Sequence, residues 1–151
     1  MPNAVLAFTE KTTKSLNQAK VRAILIPSGG GKTTLAASFD ALIDHDDLID
    51  KQCVDRFKDD SNFQGLNSYF SSINVPPKSI LLTWGWDTTP VCLRPYICAS
   101  IVRRKENLRE YNRNVRDINL DVKTHNLLLI EHENFESQVA FVLALLNKAP
   151  L

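Results

Sequence analysis

Pro27-Ser28-Gly29-Gly30-Gly31-Lys32-Thr33-Thr34 is the stretch of this chain whose residue types and spacing point most directly to chemistry. Three glycines without Cβ atoms let the backbone curl until consecutive N–H groups face one concavity, and a helix starting directly after them adds its positive end. Both features favour phosphate. Lys32 would then reach the β- and γ-phosphates of a nucleoside triphosphate, ATP or GTP, while the Thr33 hydroxyl could ligate Mg²⁺. Ser28, Gly29, Gly30, Gly31, Lys32, Thr33 and Thr34 are therefore the expected nucleotide contacts. The competing reading is a glycine-rich turn with Lys32 as an ordinary surface residue.

Further along, Asp44-His45-Asp46-Asp47 follows a short apolar run, Ala41–Asp44. A carboxylate at a strand end can orient the waters of Mg²⁺, and a second one two residues on can share its side of an extended segment. Asp44 is thus a candidate metal residue, and Asp46 a candidate base for an acceptor hydroxyl. An acidic helix start accounts for the same cluster, because free N–H groups favour Asp there. His45 could modulate the carboxylates, whereas His125 and His132 have no ligand partner at metal spacing. Asp87 and Thr88 follow a third apolar run and are candidate substrate contacts. Trp84 and Trp86 beside them could stack a base or simply pack. Between Arg103 and Arg116 six cations stand against Glu106 and Glu110, whereas Asp40–Asp60 carries eight Asp against Lys51, Arg56 and Lys58. Planar guanidinium groups suit a transferring phosphoryl group, so Arg104, Arg109 and Arg113 are candidates to close over it. The same segment could track the phosphates of RNA or DNA, or be a solvated helix with Glu–Arg pairs.

Ser28–Thr34 resembles the loop of P-loop NTPases. A proline five residues before the lysine is similar to guanylate kinases, and the loop also resembles helicase motif I. The full G-x-x-x-x-G-K-[ST] pattern has glycine where this chain has Ile26. Asp44 and Asp46 resemble the D-x-D of small-molecule P-loop kinases, and Asp46 and Asp87-Thr88 are similar to the corresponding residues of polynucleotide 5′-hydroxyl kinases. The resemblance implies a three-layer P-loop fold, with a mainly parallel sheet flanked by helices. It also implies a Mg²⁺-dependent phosphotransferase whose acceptor is a hydroxyl or phosphate on a nucleotide or polynucleotide 5′-end. In that reading Lys32, Asp46 and the lid arginines Arg104, Arg109 and Arg113 are catalytic, and Thr33 and Asp44 hold the metal. Two alternatives stay open. One is an NTPase or helicase-like module in which Leu127–Glu131 supplies the acidic strand end; the other is a nucleotide-binding structural module of a larger assembly, such as a viral one.

These residues need a scaffold that brings strand ends to one edge. Arg22–Pro27, Ala41–Asp44, Ser79–Trp84, Tyr96–Val102 and Asn126–Ile130 read as short buried strands. Between and after them, Thr33–Phe39, a stretch placing Ile49, Cys53 and Phe57 on one face, Gly65–Ile73 and Phe135–Asn147 read as helices. Phe135, Val139, Val142, Leu143 and Leu146 would form the apolar face of the last one. Only 11 residues separate Lys32 from Asp44, which limits the first helix to about two turns. The alternation predicts an α/β domain over residues 21–151, preceded by an arm or one short helix over residues 1–20.

Length and composition bound the functions. The 151 residues, 44% hydrophobic, suit one domain and exclude a two-domain motor within this chain. A formal net charge of +1 means that any attraction to polyanions must be local. The longest apolar run, Val139–Leu146, is far below the roughly 20 residues that span a bilayer, so no membrane partner is expected. Met1–Thr13 shows no secretory pattern, and three cysteines without a C-x-x-C pair predict reduced packing thiols. An intracellular, cytoplasmic setting is expected, or a virion if the source is viral.

Overall fold

The computed structural model describes residues 5–7, 20–27, 32–103 and 109–148. Its centre is a parallel sheet of five strands: β2 (Ala23–Leu25), β3 (Leu42–Asp44), β4 (Ile80–Thr83), β5 (Ile97–Val102) and β6 (Leu128–His132). A short strand β1 (Val5–Ala7) adds a sixth, giving the spatial order β1-β6-β5-β2-β4-β3 with every neighbour parallel. Val5–Ala7, expected as part of an arm or a short helix, is thus an edge strand. Strands buried on both faces carry nearly unbroken apolar runs, as in Ala23-Ile24-Leu25 and Ile80-Leu81-Leu82.

Helix α1 (Lys32–Ser38) follows β2, α2 (Lys51–Asp59) and α3 (Phe63–Ser71) form a hairpin between β3 and β4, α4 (Arg109–His125) joins β5 to β6, and α5 (Phe135–Lys148) follows β6. One face of the sheet, with Ile24, Ile26, Leu82, Cys98 and Ile130, packs on Leu35 of α1 and on Phe141, Val142 and Leu145 of α5. The other, with Ala23, Leu25, Leu81, Ala99 and Leu129, packs on Ile118 and Val122 of α4. The α2–α3 hairpin has its own small core of Val54, Leu66, Phe70 and Ile73. The α/β class and the layers of helix on both faces agree with expectation.

The central position of β2 matters for function. Its chain leaves toward β3 on one side, whereas β5, on the other side, continues toward β6. Open parallel sheets bind ligands at such a reversal, outside the carboxyl ends of the strands. Because all the strands are parallel, Pro27, Asp44, Trp84 and Arg103 all emerge at that one edge.

Several expected boundaries shift. Asn126 takes the left-handed conformation at φ 54°, and Leu127 N–H donates to Val122 O at 3.0 Å. This closes α4 in the manner of a helix C-cap, so β6 starts at Leu128 rather than Asn126. In α5 the buried stripe runs through Phe141, Val142 and Leu145, and Leu143 is exposed, contrary to expectation. Ile49 precedes α2, whose buried anchor is Val54. Of the cysteines, Cys98 is buried, Cys53 half-buried and Cys92 exposed, so packing does not account for Cys92. Burial pushes the Cys98 thiol up to about 12. Among the described residues no helix is long and apolar enough to cross a membrane.

Candidate functional site

Lys32 opens α1 and is only 7% exposed. It is therefore not the surface lysine of the competing reading. Its Nζ lies 2.9 Å from Asp44 Oδ1 and 3.6 Å from Asp46 Oδ2. Thr33 Oγ1 donates to Asp44 Oδ2 at 3.3 Å. The two elements meet because α1 has seven residues and a length of about 10 Å, so the chain turns back at once into β3 and delivers Asp44 beside the start of α1. Asp44 is buried at the strand end, and its Oδ1 also accepts the backbone N–H of Asp46 at 3.0 Å. That bond caps the short 3₁₀ turn His45–Asp47 and holds the Asp46 carboxylate, half of it open to solvent, beside Lys32.

Trp84 completes this centre. It follows β4, the strand lying between β2 and β3, and Lys32 Nζ stands 5.5 Å from its ring centroid. The loop that carries it is pinned by Thr88 and Thr89, whose hydroxyls donate to Gly85 O at 3.0 and 2.8 Å, and by Asp121 Oδ2, which accepts Trp86 N–H at 3.0 Å. His45 is fully buried, edge-on to Phe70 and Trp84 with ring centroids 5.1 and 4.7 Å away. Neither ring nitrogen makes a well-aligned hydrogen bond among the described residues, and burial lowers its pKa to about 4 against the opposing pull of Asp46 and of the Thr88 backbone. The ring is thus a neutral packing group under the carboxylates.

Two cavities flank the cluster. One, of about 500 Å³, is lined by Thr33, Ala36, Ala37, Leu42, Ile43, Asp44, Asp46 and Asp47. The other, also about 500 Å³, lies against the α2–α3 hairpin and shares Asp46. Sequence reasoning missed the second, because its walls come from residues more than thirty positions apart that meet only when the hairpin folds.

Expected contacts fare unevenly. Lys32, Thr33, Asp44 and Asp46 come together. Thr34 sits exposed one residue further along α1. Thr88 is buried and lines the second cavity, but Asp87 is exposed, does not line it, and acts by its charge on Asp121 of α4. Arg109 and Arg113 are exposed on α4, and no hydrogen bond or ion pair joins them to the Lys32 cluster. Ser28, Gly29, Gly30, Gly31 and Arg104 lie outside the described residues. Trp86 stacks on His125, with centroids 3.7 Å apart, so it serves packing rather than an open base platform. Glu131, the acidic strand end of the helicase-like alternative, is bound by Arg103 at 2.7 Å and belongs to β6, two strands from β2.

No group of three or more His, Cys, Asp or Glu among the described residues could hold a metal alone. The donors that do converge, Thr33, Asp44 and Asp46, are all hard oxygens. Such a set suits Mg²⁺, which keeps several waters and takes one or two carboxylates together with substrate phosphates. No family model, curated protein or solved structure matches the chain.

Proposed function

We propose that the protein is a Mg²⁺-dependent phosphotransferase that moves the γ-phosphoryl group of a nucleoside triphosphate, ATP or GTP, to an acceptor held next to Asp46. The observation that carries this reading is the convergence of Lys32, Thr33, Asp44 and Asp46 at the carboxyl edge of a parallel sheet, directly after Gly29-Gly30-Gly31 in the sequence. A lysine buried against two carboxylates is costly to keep unless it has a use, because replacing such a pair by apolar residues is often neutral or stabilising. Triphosphate oxygens would take over the Lys32 ammonium. Thr33 and Asp44, released from each other, would hold Mg²⁺, which supplies charge neutralisation at the phosphate oxygens.

Asp46 then faces the acceptor. The acceptor O–H gives its proton to the Asp46 carboxylate and its oxygen bonds to the γ-phosphorus. The bond from that phosphorus to the β–γ bridging oxygen breaks, with its electron pair leaving on the nucleoside diphosphate. Lys32 remains in place to offset charge on the transferring group, and the apolar walls around Trp84 keep water from competing.

Incubation of the full chain with γ-labelled ATP or GTP, Mg²⁺ and a panel of nucleosides, nucleoside monophosphates and 5′-hydroxyl oligonucleotides tests the reading. Label should appear on an acceptor. Label released only as inorganic phosphate would make the protein an NTPase, and no turnover with any member would remove the phosphotransferase reading.

A further inference from the structure

The second cavity allows the acceptor to be narrowed, an inference that rests on the phosphotransferase reading for its direction of transfer but not for binding itself. Its inner wall is apolar: Val54 of α2, Leu66 and Phe70 of α3 are buried, and Ile49 and Trp84 are half-buried. Polar lining is confined to Thr88 at depth, to Asp46 at the opening shared with the Lys32 cluster, and to Lys51, Asp55 and Lys58 at the rim. The rim groups are all exposed, and Asp55 stands four residues after Lys51 and three before Lys58, so the two ammonium groups flank a carboxylate on one helix face.

Charge decides what such a cavity admits. Asp44–Asp60 carries seven carboxylates against Lys51, Arg56 and Lys58, and no arginine lines the cavity to grip a phosphate in bidentate fashion. Solvated rim lysines offset by Asp55 give little in return for desolvating a dianion against apolar walls. A polynucleotide end would bring further phosphates to an acidic surface, within the Debye length of about 8 Å at physiological salt. An uncharged ring system loses nothing to these carboxylates and gains contact with Trp84, Phe70 and Leu66. We propose that this cavity is the acceptor site and that it takes an uncharged, flat alcohol of nucleoside size, with its hydroxyl at Asp46, in preference to a phosphorylated acceptor or a nucleic-acid end.

Calorimetric titration of the full chain, without triphosphate, tests this. The four ribonucleosides, their 5′-monophosphates and a 5′-hydroxyl tetranucleotide serve as probes at low and physiological salt. At least one nucleoside should bind roughly tenfold more tightly than its own monophosphate, and the gap should widen at low salt. Leu66→Trp, which fills the cavity, should abolish that binding, while Asp55→Lys should raise monophosphate affinity roughly fivefold; circular dichroism verifies that both variants fold. Absence of nucleoside binding, equal or tighter binding of the monophosphate or tetranucleotide, or nucleoside binding that survives Leu66→Trp would overturn the proposal. Because no triphosphate is present, such a failure is separate from failure of the phosphotransferase reading, which the label experiment judges alone.

Discussion

Lys32 carries most of the proposed chemistry, and its burial makes a stability prediction as well as a functional one. Leaving one member of a buried pair uncompensated costs about 3–5 kcal/mol, while the second carboxylate, Asp46 at 3.6 Å, softens the loss for an Asp44 variant. Asp44→Ala should therefore lower urea stability by about 2–3 kcal/mol, and Lys32→Met combined with Asp44→Ala should cost less than the sum of the single changes. Additive losses would mean that the pair is not coupled. The two buried histidines set a pH dependence. His45 and His132 both fall to about 4 from an ordinary 6.5, each chiefly through burial. In the unfolded chain they take up protons as the pH drops through 6.5, but in the folded chain only near 4. Stability present at neutral pH should thus be lost between about pH 6.5 and 4, up to about 3 kcal/mol for each ring. Urea midpoints measured from pH 7.5 to 4.5 check this, and a midpoint that does not fall would show that the rings are already protonated or exposed. His132 is tied to Ser100 Oγ at 2.8 Å, and Gln138 Nε2 donates to the same hydroxyl at 3.1 Å, so His132→Phe should also cost the Ser100 hydroxyl its imidazole partner while the Gln138 bond stays.

Among the elements, the α2–α3 hairpin shapes the proposed acceptor cavity, and one glycine sets its closeness. A Cβ on Gly65 would stand 2.5 Å from Asn62 Nδ2 and 2.8 Å from Phe57 Cε1, and Asn62 is the residue whose side chain caps α3 by accepting Gly65 N–H. Gly65→Ala should destabilise the chain by about 1–3 kcal/mol by displacing both groups, yet leave triphosphate affinity unchanged because Lys32 and Thr33 lie on α1. An equal loss of triphosphate affinity would show the hairpin and the phosphate site to be one unit. The elements also show where sequence reading succeeds. Lys32, Thr33, Asp44 and Asp46 are legible because their meeting depends on local matters: a strand, a helix limited to about two turns and a return strand close to both in sequence. The cavity is not, since it depends on how a hairpin leans on the end of β4. In α5, six consecutive apolar residues, Phe141–Leu146, are compatible with several helix faces, and only docking on β5 and β6 selects Phe141 and Leu145 over Leu143. β6 starts two residues later than its apolar run suggests because Asn126 ends a helix through a left-handed backbone rather than beginning a strand.

For the molecule as a whole, a formal charge of +1 conceals an unequal distribution around a neutral sum. Carboxylates concentrate after β3, where Lys32 answers two of them, while Arg109, Arg113 and Arg116 lie exposed on α4 against the opposite face of the sheet from α1. At the proposed site triphosphate alone would compete with Asp44 and Asp46 for Lys32, so its affinity should rise at least tenfold when Mg²⁺ is added and should lose that increment in Asp44→Asn. Equal affinity with and without Mg²⁺ would dissociate Asp44 from nucleotide binding. The parallel sheet brings the strand ends to one edge, and the proposed transfer depends on Lys32 and Asp46 meeting there. Its most direct test is transfer of labelled γ-phosphate by native protein and by Asp46→Asn, with triphosphate binding measured on both. The variant should bind triphosphate within about threefold of native but transfer at least 100-fold more slowly, in line with loss of a general base. An Asp46→Asn protein that transfers label as fast as native would contradict that role.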